Sequence, residues 1–361
     1  MISRHIQHKL RLTAAWALFV FALAIPAQAE LLGPLRVHDM TPFNLLHLDM
    51  LPAQAVTSGS GSWAIEVEVS HANTFVMSEN VSAYLERRDT RGPLQTDDVE
   101  AIQGFEEDAY YVDGEISELD LTFHYGITPR SSIYLTFPLY DFTGGFLDGT
   151  VEGFHSTFGF GSQGRELVAR DRFQAVATFG RGRTAFLDSP VEKGWGDPVV
   201  GLRHSLPMGE SHWTLIVDGA AKVALHGERP FLSTGSNDYG LQASLQRRHG
   251  RQGIYFSASA VWTDGRALGV PTGSRVVPTL MAAYEIGVTR HTSAILQLYA
   301  SEGAVQDTSI QEIKENKYQA SLGLRTRRGP LVYGFAVTEN VANFQNTPDI
   351  GMSLTLAWIS R

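Results

Sequence analysis

Acidic and basic side chains recur at alternate positions along several stretches, and they are the residues best suited to bind a solute or an ion. Alternate residues of a β-strand share one face of a sheet, so each set would line one surface. Inside a closed sheet such a face would focus an electric field across a narrow lumen, whereas in a soluble protein it would be a solvated surface. The predicted lumen-lining residues are Glu66, Glu68, Glu118, Asp120, His124, Arg203, Asp218, Lys222, Arg248, Glu285 and Arg325.

Signals of enzyme chemistry are weak. The chain has neither a G-x-S-x-G nor an H-E-x-x-H motif. The adjacent His–Ser pairs at 155–156 and 204–205 would point to opposite faces of a strand. A lipase would need Ser, His and an orienting polar residue together on the lipid-facing surface, and the pattern reveals no such set. Because the histidines are scattered and cysteine is absent, we expect no catalytic residues, no metal site and no cofactor.

Composition narrows the class of protein without settling it. The formal net charge of −9 argues against a nucleic-acid partner, whose phosphates require a basic patch. The absence of cysteine excludes a disulfide framework and a thiolate metal site. A mean hydropathy of −0.09 suits both a soluble β-protein and a membrane barrel, because only alternate residues of a barrel face lipid.

The elements that would position the charged residues are strands. Alternation of apolar and polar residues runs almost unbroken from Trp63 to Trp358 and predicts twelve strands. These lie near 62–77, 109–127, 131–141, 197–206, 211–225, 237–248, 252–264, 275–287, 292–302, 316–326, 330–341 and 349–358. The connections alternate between short and long, with long ones near 78–108, 142–196, 226–236, 265–274, 303–315 and 342–348.

This arrangement is typical of a transmembrane up-and-down antiparallel β-barrel with short periplasmic turns and long outer loops. We therefore predict an all-β fold with both termini in the periplasm. The apolar pieces in 78–108 and 169–189 are interpreted as hairpins within outer loops; if they cross the membrane, the barrel has 14 or 16 strands. The alternative fold is a soluble β-sandwich or jelly roll, which rarely has tryptophans at strand ends. Here they stand at Trp63, Trp213, Trp262 and Trp358.

Two segments precede the barrel. Residues 1–29 combine a basic start, the apolar run Thr13–Ile25 and the small-residue site Ala27-Gln28-Ala29, which predicts a signal peptide cleaved after Ala29. Residues 30–61 form a leader that stays in the periplasm or enters the lumen as a plug.

Residues 62–361 form the barrel, with its long outer loop at 142–196. Apolar spacing in that loop predicts a helix over 147–158, either packed on its own loop or lying over the barrel mouth.

Four short stretches spread over the chain carry a family resemblance. They are Gly33-Pro-Leu-Arg-Val37, Tyr125-Gly-Ile-Thr-Pro-Arg130, Gly144-Gly-Phe-Leu-Asp-Gly149 with Glu152-Gly-Phe-His155, and Asn346-Thr-Pro-Asp349. Together they resemble an uncharacterised bacterial family of outer-membrane barrels, catalogued as domain of unknown function three-one-eight-seven. The resemblance implies a location in the outer membrane, and the family offers no known activity or catalytic residues.

The final strand resembles the signal that the barrel assembly machinery reads. The signal is polar-x-Gly-x-x-apolar-x-apolar, and three residues follow the last aromatic here, whereas such chains usually stop on an aromatic. The residues concerned are Asp349, Gly351, Leu354, Leu356 and Trp358. We expect the assembly machinery, periplasmic chaperones and outer-membrane lipid as partners.

The first functional hypothesis is a passive conduit or binding barrel for small polar or amphipathic solutes. The alternatives are a lipid-modifying enzyme of the outer membrane and a structural barrel whose loops bind partners. We expect an open pore in which acids and bases face each other across water. In the alternative arrangement the leader enters the lumen and offers Arg36 to Glu66, Glu68, Glu118 and Asp120.

Overall fold

The computed structural model describes residues 30–53, 59–88, 91–158, 164–180, 183–209, 212–225, 227, 229, 231–267, 270–343 and 346–360. The predicted signal peptide and its cleavage site lie outside the described residues. The strands are β1 Trp63–Met77, β2 Ala109–Gly126, β3 Ser131–Thr143, β4 Gln174–Phe179, β5 Arg183–Leu187, β6 Gly194–Trp195, β7 Val199–Pro207, β8 Trp213–Lys222, β9 Asp238–His249, β10 Gln252–Ala267, β11 Val270–Gly287, β12 Thr292–Ser301, β13 Lys317–Arg328, β14 Leu331–Ala342 and β15 Ile350–Ile359.

Twelve of these strands close into one antiparallel barrel. The order is β2-β1-β15-β14-β13-β12-β11-β10-β9-β8-β7-β3, and pairing of β2 with β3 completes the ring. The remaining three strands extend its wall. β4 and β5 form a hairpin in which β4 pairs with the start of β2, and β6 adds two residues beside β3. The predicted transmembrane up-and-down barrel of about twelve strands is confirmed.

The two ends of the barrel differ. The turn end carries the short connections 127–130, 208–212, 250–251, 288–291 and 329–330. The loop end carries the helices α1 Glu79–Leu85, α2 Thr96–Gln103, α3 Asp148–Phe158 and α4 Gln311–Lys314, together with β4 and β5. None of the helices in the described ranges is long and apolar enough to cross a membrane.

Two loop predictions were wrong in detail. Segment 78–108 forms α1 and α2 instead of a hairpin, because its apolar residues are spaced three or four apart, as at Val81 and Leu85, and a Gln95–Asp98 capping box starts α2. Residues 265–274 are mostly paired, since β10 and β11 continue to the pair Ala267–Val270. The predicted hairpin in 169–189 and the helix over 147–158 are present as β4–β5 and α3.

The two faces of the wall have opposite character. Outward side chains such as Val69, Phe123 and Leu354 are 38%, 42% and 58% exposed, whereas inward Glu66 and Glu68 are 1% and 2% exposed. Apolar residues outside and polar residues inside are what a barrel in lipid requires. Tryptophans mark the turn end, where the rings of Trp63 and Trp358 lie 4.5 Å apart.

Candidate functional site

The barrel interior is the candidate site, and it is occupied by the chain itself. Ten of the eleven predicted lumen-lining side chains are buried, and Arg248 is half-buried. What buries them is residues 30–53 of the leader, the part that the structure describes ahead of residue 59. It enters at the turn end, where the Glu30 amide donates to the Arg290 carbonyl at 3.1 Å. It reaches the loop end, where the Ala304 amide donates to Asn44 Oδ1 at 3.1 Å, and then turns back.

The local sequence explains this path. A tight turn over 41–47 reverses the leader, with the Asn44 amide donating to the Thr41 carbonyl at 2.9 Å and the His47 amide to the Asn44 carbonyl at 2.8 Å. No described residue of the leader joins the sheet. Its backbone groups therefore need partners from the wall, because unpaired polar groups inside a protein are costly.

Wall charges supply those partners. Glu285 accepts the amides of Leu32 at 2.7 Å and Gly33 at 3.0 Å. Arg325 donates to the carbonyls of Leu32 at 3.0 Å and Pro34 at 3.1 Å. Each of these two inward residues thus binds the leader backbone near the turn end.

On the other side of the lumen, Lys222 donates to the Leu46 carbonyl at 2.6 Å. Asp238 accepts the Leu48 amide at 2.9 Å and contacts His47 Nδ1 at 3.2 Å. Arg203 and Asp218 instead pair with each other at 2.6 Å.

Arg36 of the leader forms ion pairs with acidic residues of the barrel wall. Its Nε lies 2.6 Å from Glu66 Oε1 and 3.6 Å from Glu68 Oε2, and all three side chains are buried. Such a pair stabilises only when both partners are present, because removal of one leaves an uncompensated buried charge. The structure therefore has the second of the two predicted arrangements, in which the leader enters and Arg36 meets the acids, and the open lumen expected first is absent.

His38 of the leader lies among acidic residues of the barrel wall. Its Nε2 lies 3.1 Å from Asp120 Oδ2 and 3.8 Å from Glu68 Oε1, and its Nδ1 lies 3.8 Å from Glu118 Oε2. Burial disfavours the charged imidazole, but Glu118, Asp120 and Glu68 outweigh it, so the pKa of His38 is raised well above its ordinary value. A charged His38 is thus a second cation from the leader in the acidic half of the lumen.

The same group could hold a metal ion. One ligand atom from each of His38, Glu118 and Asp120 lies within 4.8 Å of the others. The sequence did not indicate this, because His38 is in the leader and the two acids are on β2.

The tip of the leader joins the apolar core of the loop end. Phe43 is buried, and its ring packs edge-on against Tyr110 at 5.2 Å and Phe179 at 6.3 Å. Asp39, just before the tip, contacts the buried Lys317 of β13. Lys317 could have been found by extending the alternation of β13, but Asp39 could not, since the leader has no strand periodicity.

Little space remains around the leader. A cavity in the lumen has a volume of about 50 Å³ and is lined by residues that include Arg36, His38, His124, Tyr134 and Lys222. A water molecule needs ~10–15 Å³ of such volume, whereas pockets for drug-sized ligands have ~300–1,000 Å³. This cavity has room for waters and is well below the volume of a pocket for a drug-sized ligand.

The outward face holds a polar set that the sequence pattern did not reveal. Ser117, His71 and Glu115 are hydrogen-bonded to one another on β1 and β2, so the expectation that no Ser–His–polar set exists on that face was wrong. All three stand at alternate strand positions in step with the lipid-facing residues. Parity could have placed them on that face, but only the register of β1 against β2 shows that they meet.

Comparison with known proteins agrees with this fold. A family model described as "Protein of unknown function (DUF3187)" matches residues 95–358. No curated protein matches the chain. The crystal structure of an outer-membrane channel from Pseudomonas putida F1 is similar at a TM-score of 0.53 and 12% identity, covering 87% of this chain and 100% of that chain. This likeness supports the closed barrel fold.

Two other solved structures are similar at lower scores. The NanC porin has a TM-score of 0.40 and 9% identity, covering 68% of this chain and 92% of that chain. The CymD monoaromatic hydrocarbon channel has a TM-score of 0.37 and 10% identity, covering 90% of this chain and 93% of that chain. At these scores neither structure indicates a solute for this barrel.

Proposed function

The chain belongs to the family described as "Protein of unknown function (DUF3187)", and we propose that it is an outer-membrane conduit for small polar or amphipathic solutes that its own leader closes. In this proposal the turn end lies in the periplasm and the loop end faces outward. The exposed apolar wall and the tryptophans at the turn end support the membrane location.

The observation that carries the proposal is the leader within the lumen. Barrels of about 8 strands are filled by their own side chains, and those of 16–18 enclose a channel. A twelve-stranded barrel lies between, and here a separate segment fills the space. If the leader withdraws, acids on β1 and β2 and bases on β7, β8 and β13 line a polar passage.

The way in which the leader is held suits a removable plug. Its polar contacts with the wall are ion pairs and side-chain hydrogen bonds, such as Arg36–Glu66 and Lys222–Leu46, and not pairing in the sheet. Water entering the lumen can replace such contacts one by one, since exposed ion pairs contribute little to stability. A segment paired as a strand would instead have to break a continuous ladder.

Reversal of the Arg36 charge tests the proposal. Arg36→Glu brings a carboxylate beside Glu66 and Glu68, and a unit-charge pair at ~4 Å contributes about 4 kcal/mol at an effective dielectric constant of 20. We expect the wild-type protein to be nearly silent in planar bilayers and Arg36→Glu to conduct. The double variant Arg36→Glu with Glu66→Arg restores an ion pair of reversed sense and should be silent again.

Arg172→Glu is the matched control, because it makes the same charge change at an exposed position near β4. It should leave the channel silent. Equal conductance of the wild type and Arg36→Glu would contradict closure by the leader.

A further inference from the structure

Three polar side chains meet on the outside of the barrel. Ser117 Oγ lies 2.8 Å from His71 Nδ1, and His71 Nε2 lies 3.0 Å from Glu115 Oε2. Because the carboxylate accepts the Nε2 proton, the Nδ1 lone pair is left to accept the Ser117 hydroxyl proton. The order is hydroxyl, imidazole and carboxylate, which is the arrangement that activates a serine nucleophile.

The strands fix this geometry. His71 of β1 and Ser117 of β2 are directly opposite in the register, and Glu115 is the next residue on the same face of β2. Direct and diagonal partners of this kind are within reach of long side chains. The set therefore sits on a rigid element of the barrel wall.

The loop after β3 holds the carboxylate in place. Glu115 Oε1 accepts the amides of Phe146 at 2.8 Å and Leu147 at 2.5 Å. Gly145 has a φ of +77°, and a Cβ there would lie 1.9 Å from Glu115 Cδ, so only glycine fits. The Gly144–Gly149 stretch, one of the four that carry the family resemblance, thus forms the support for Glu115.

The reactive end of the set remains accessible. The His71 side chain is 21% exposed, while Glu115 behind it is fully buried. The ring of Phe146 stacks on the imidazole with centroids 6.0 Å apart and is itself 72% exposed. Ser117 is half-buried. An apolar chain lying along the wall could therefore reach the hydroxyl beside an aromatic surface.

The depth matches the outer boundary of a membrane. Eight residues separate Trp63 from His71, which at ~3.3 Å per residue and a tilt of ~40° places His71 roughly 20 Å above Trp63. The apolar band of such barrels is ~25 Å tall. Below His71 the outward residues Val69 and Trp63 are exposed, and above it Asn73 and Phe75 are covered by the loop end.

A cation lies beside the set. Asp141 of β3 is opposite Ser117 in the register, and Lys193 Nζ lies 3.8 Å from its Oδ2. Both side chains are exposed, so Lys193 can turn toward an anionic headgroup at this level.

We propose that Ser117, His71 and Glu115 form an esterase site for acyl esters of outer-leaflet lipids. This esterase proposal rests on the proposed conduit only for the orientation of the barrel in the outer membrane. Ser117 Oγ attacks the ester carbonyl carbon as its proton passes to His71 Nδ1. The C–O bond to the lipid alcohol breaks, the alcohol oxygen takes that proton, and the acyl group stays on Ser117. Water then attacks the acyl-serine with His71 as base, which releases a fatty acid and restores the serine. Glu115 positions His71.

The test uses the full-length protein in vesicles of phosphatidylethanolamine or of hexa-acylated lipid A, with released fatty acid as the readout. We expect hydrolysis of at least one lipid, and the active one identifies the source of the ester. Ser117→Ala should lower the rate at least ~100-fold while heat-modifiable migration shows that the barrel is folded. Ser131→Ala is the matched control: Ser131 Oγ is 2.9 Å from His204 Nδ1, and among the described residues no carboxylate bonds to that histidine.

A fluorophosphonate probe gives a second readout. It should form an adduct at Ser117 in the wild-type protein and in Ser131→Ala. Glu115→Gln should slow the labelling at least about tenfold, since the imidazole would lose its orienting carboxylate. The proposal fails if neither lipid is hydrolysed, if folded Ser117→Ala retains the wild-type rate, or if the probe labels Ser117 no faster in the wild type than in Glu115→Gln. Conductance plays no part in these outcomes.

Discussion

At the scale of single residues, the side chains that close the lumen come from two sources with different predictability. Strand alternation identified Glu66, Glu68 and Glu118 because every second residue of a strand faces inward. Alternation could not identify the role of His38, since an extended segment outside the sheet has no fixed period. The acids were predictable, and their partners could be proposed only as one of two alternatives.

The charge state of His38 makes closure depend on pH. Burial disfavours the charged form, but Glu118, Asp120 and Glu68 raise the pKa of the docked His38 well above its ordinary value of about 6.5. The contribution of His38 to docking is therefore complete below about pH 6.5 and is lost as the pH rises through the raised pKa. Asp49 also faces His38, at 3.9 Å.

We expect channel openings to become more frequent as the pH rises from about 6.5 toward 9. His38→Gln, which cannot take a charge, should open more often at neutral pH and respond less to this change. Bilayer recordings of both proteins test the sign. Openings that become rarer with rising pH, or an equal response in His38→Gln, would rule out this role for His38.

At the scale of elements, the loop between β3 and β7 is fixed to the barrel rim by one buried cation. Arg165 contacts Asp148, lies 3.4 Å from Asp349 and 3.7 Å from Asp113, and donates to Asn73 Oδ1 at 2.7 Å. The alternation pattern gave no sign of this network, because Arg165 lies outside the strands, in a short 3-10 helix over Arg165–Leu167 between α3 and β4. Contacts of this kind depend on tertiary packing alone.

Arg165→Met should loosen this loop without removing the barrel. It leaves several buried carboxylates without their cation, which typically costs ~3–5 kcal/mol. We expect chymotrypsin to cut the 144–198 region much faster, while heat-modifiable migration persists. Arg170→Met is the control, because Arg170 pairs with Glu152 at the exposed surface and its loss should leave the cleavage rate nearly unchanged. Similar cleavage of both variants would refute the role of Arg165.

The last strand provides a test of which side chains face lipid and which face the lumen. Leu354 is 58% exposed on the outer wall, and its neighbour Ser353 is buried on the inner side. An arginine facing lipid near mid-depth costs ~2–4 kcal/mol, so Leu354→Arg should sharply lower the amount of heat-modifiable barrel in outer membranes. Ser353→Arg should insert far better, because its side chain enters the lumen. Equal losses from the two variants would mean that this assignment of the two residues to opposite faces is wrong.

At the scale of the whole molecule, the twelve-stranded barrel could be read from the sequence almost strand by strand. Closure needs only alternation and connections sorted by length, and both are local patterns. The path of the leader could not be predicted, because it depends on contacts between residues far apart in the chain, such as Leu32 with Glu285 and Leu46 with Lys222. Periodicity carries no information about such pairs.

The Ser117–His71–Glu115 set illustrates the same limit on the outer wall. Alternation could have placed all three on the lipid-facing side, but their meeting depends on a register that one residue of slip would abolish. Register is set by the pairing of β1 with β2 along fifteen residue pairs. The sequence alone does not specify that pairing.

Single-channel conductance of the full-length protein, compared with that of a chain lacking residues 31–53, tests most directly the claim that the leader closes a polar conduit. We predict that the full-length protein is nearly silent and that the deletion variant, shown to be folded by heat-modifiable migration, conducts steadily. In the deletion variant, Glu66→Gln with Glu118→Gln should lower the preference for cations, because these acids then line the open passage. A full-length protein that conducts as readily as the deletion variant would contradict closure, and a folded deletion variant that stays silent would contradict the conduit itself.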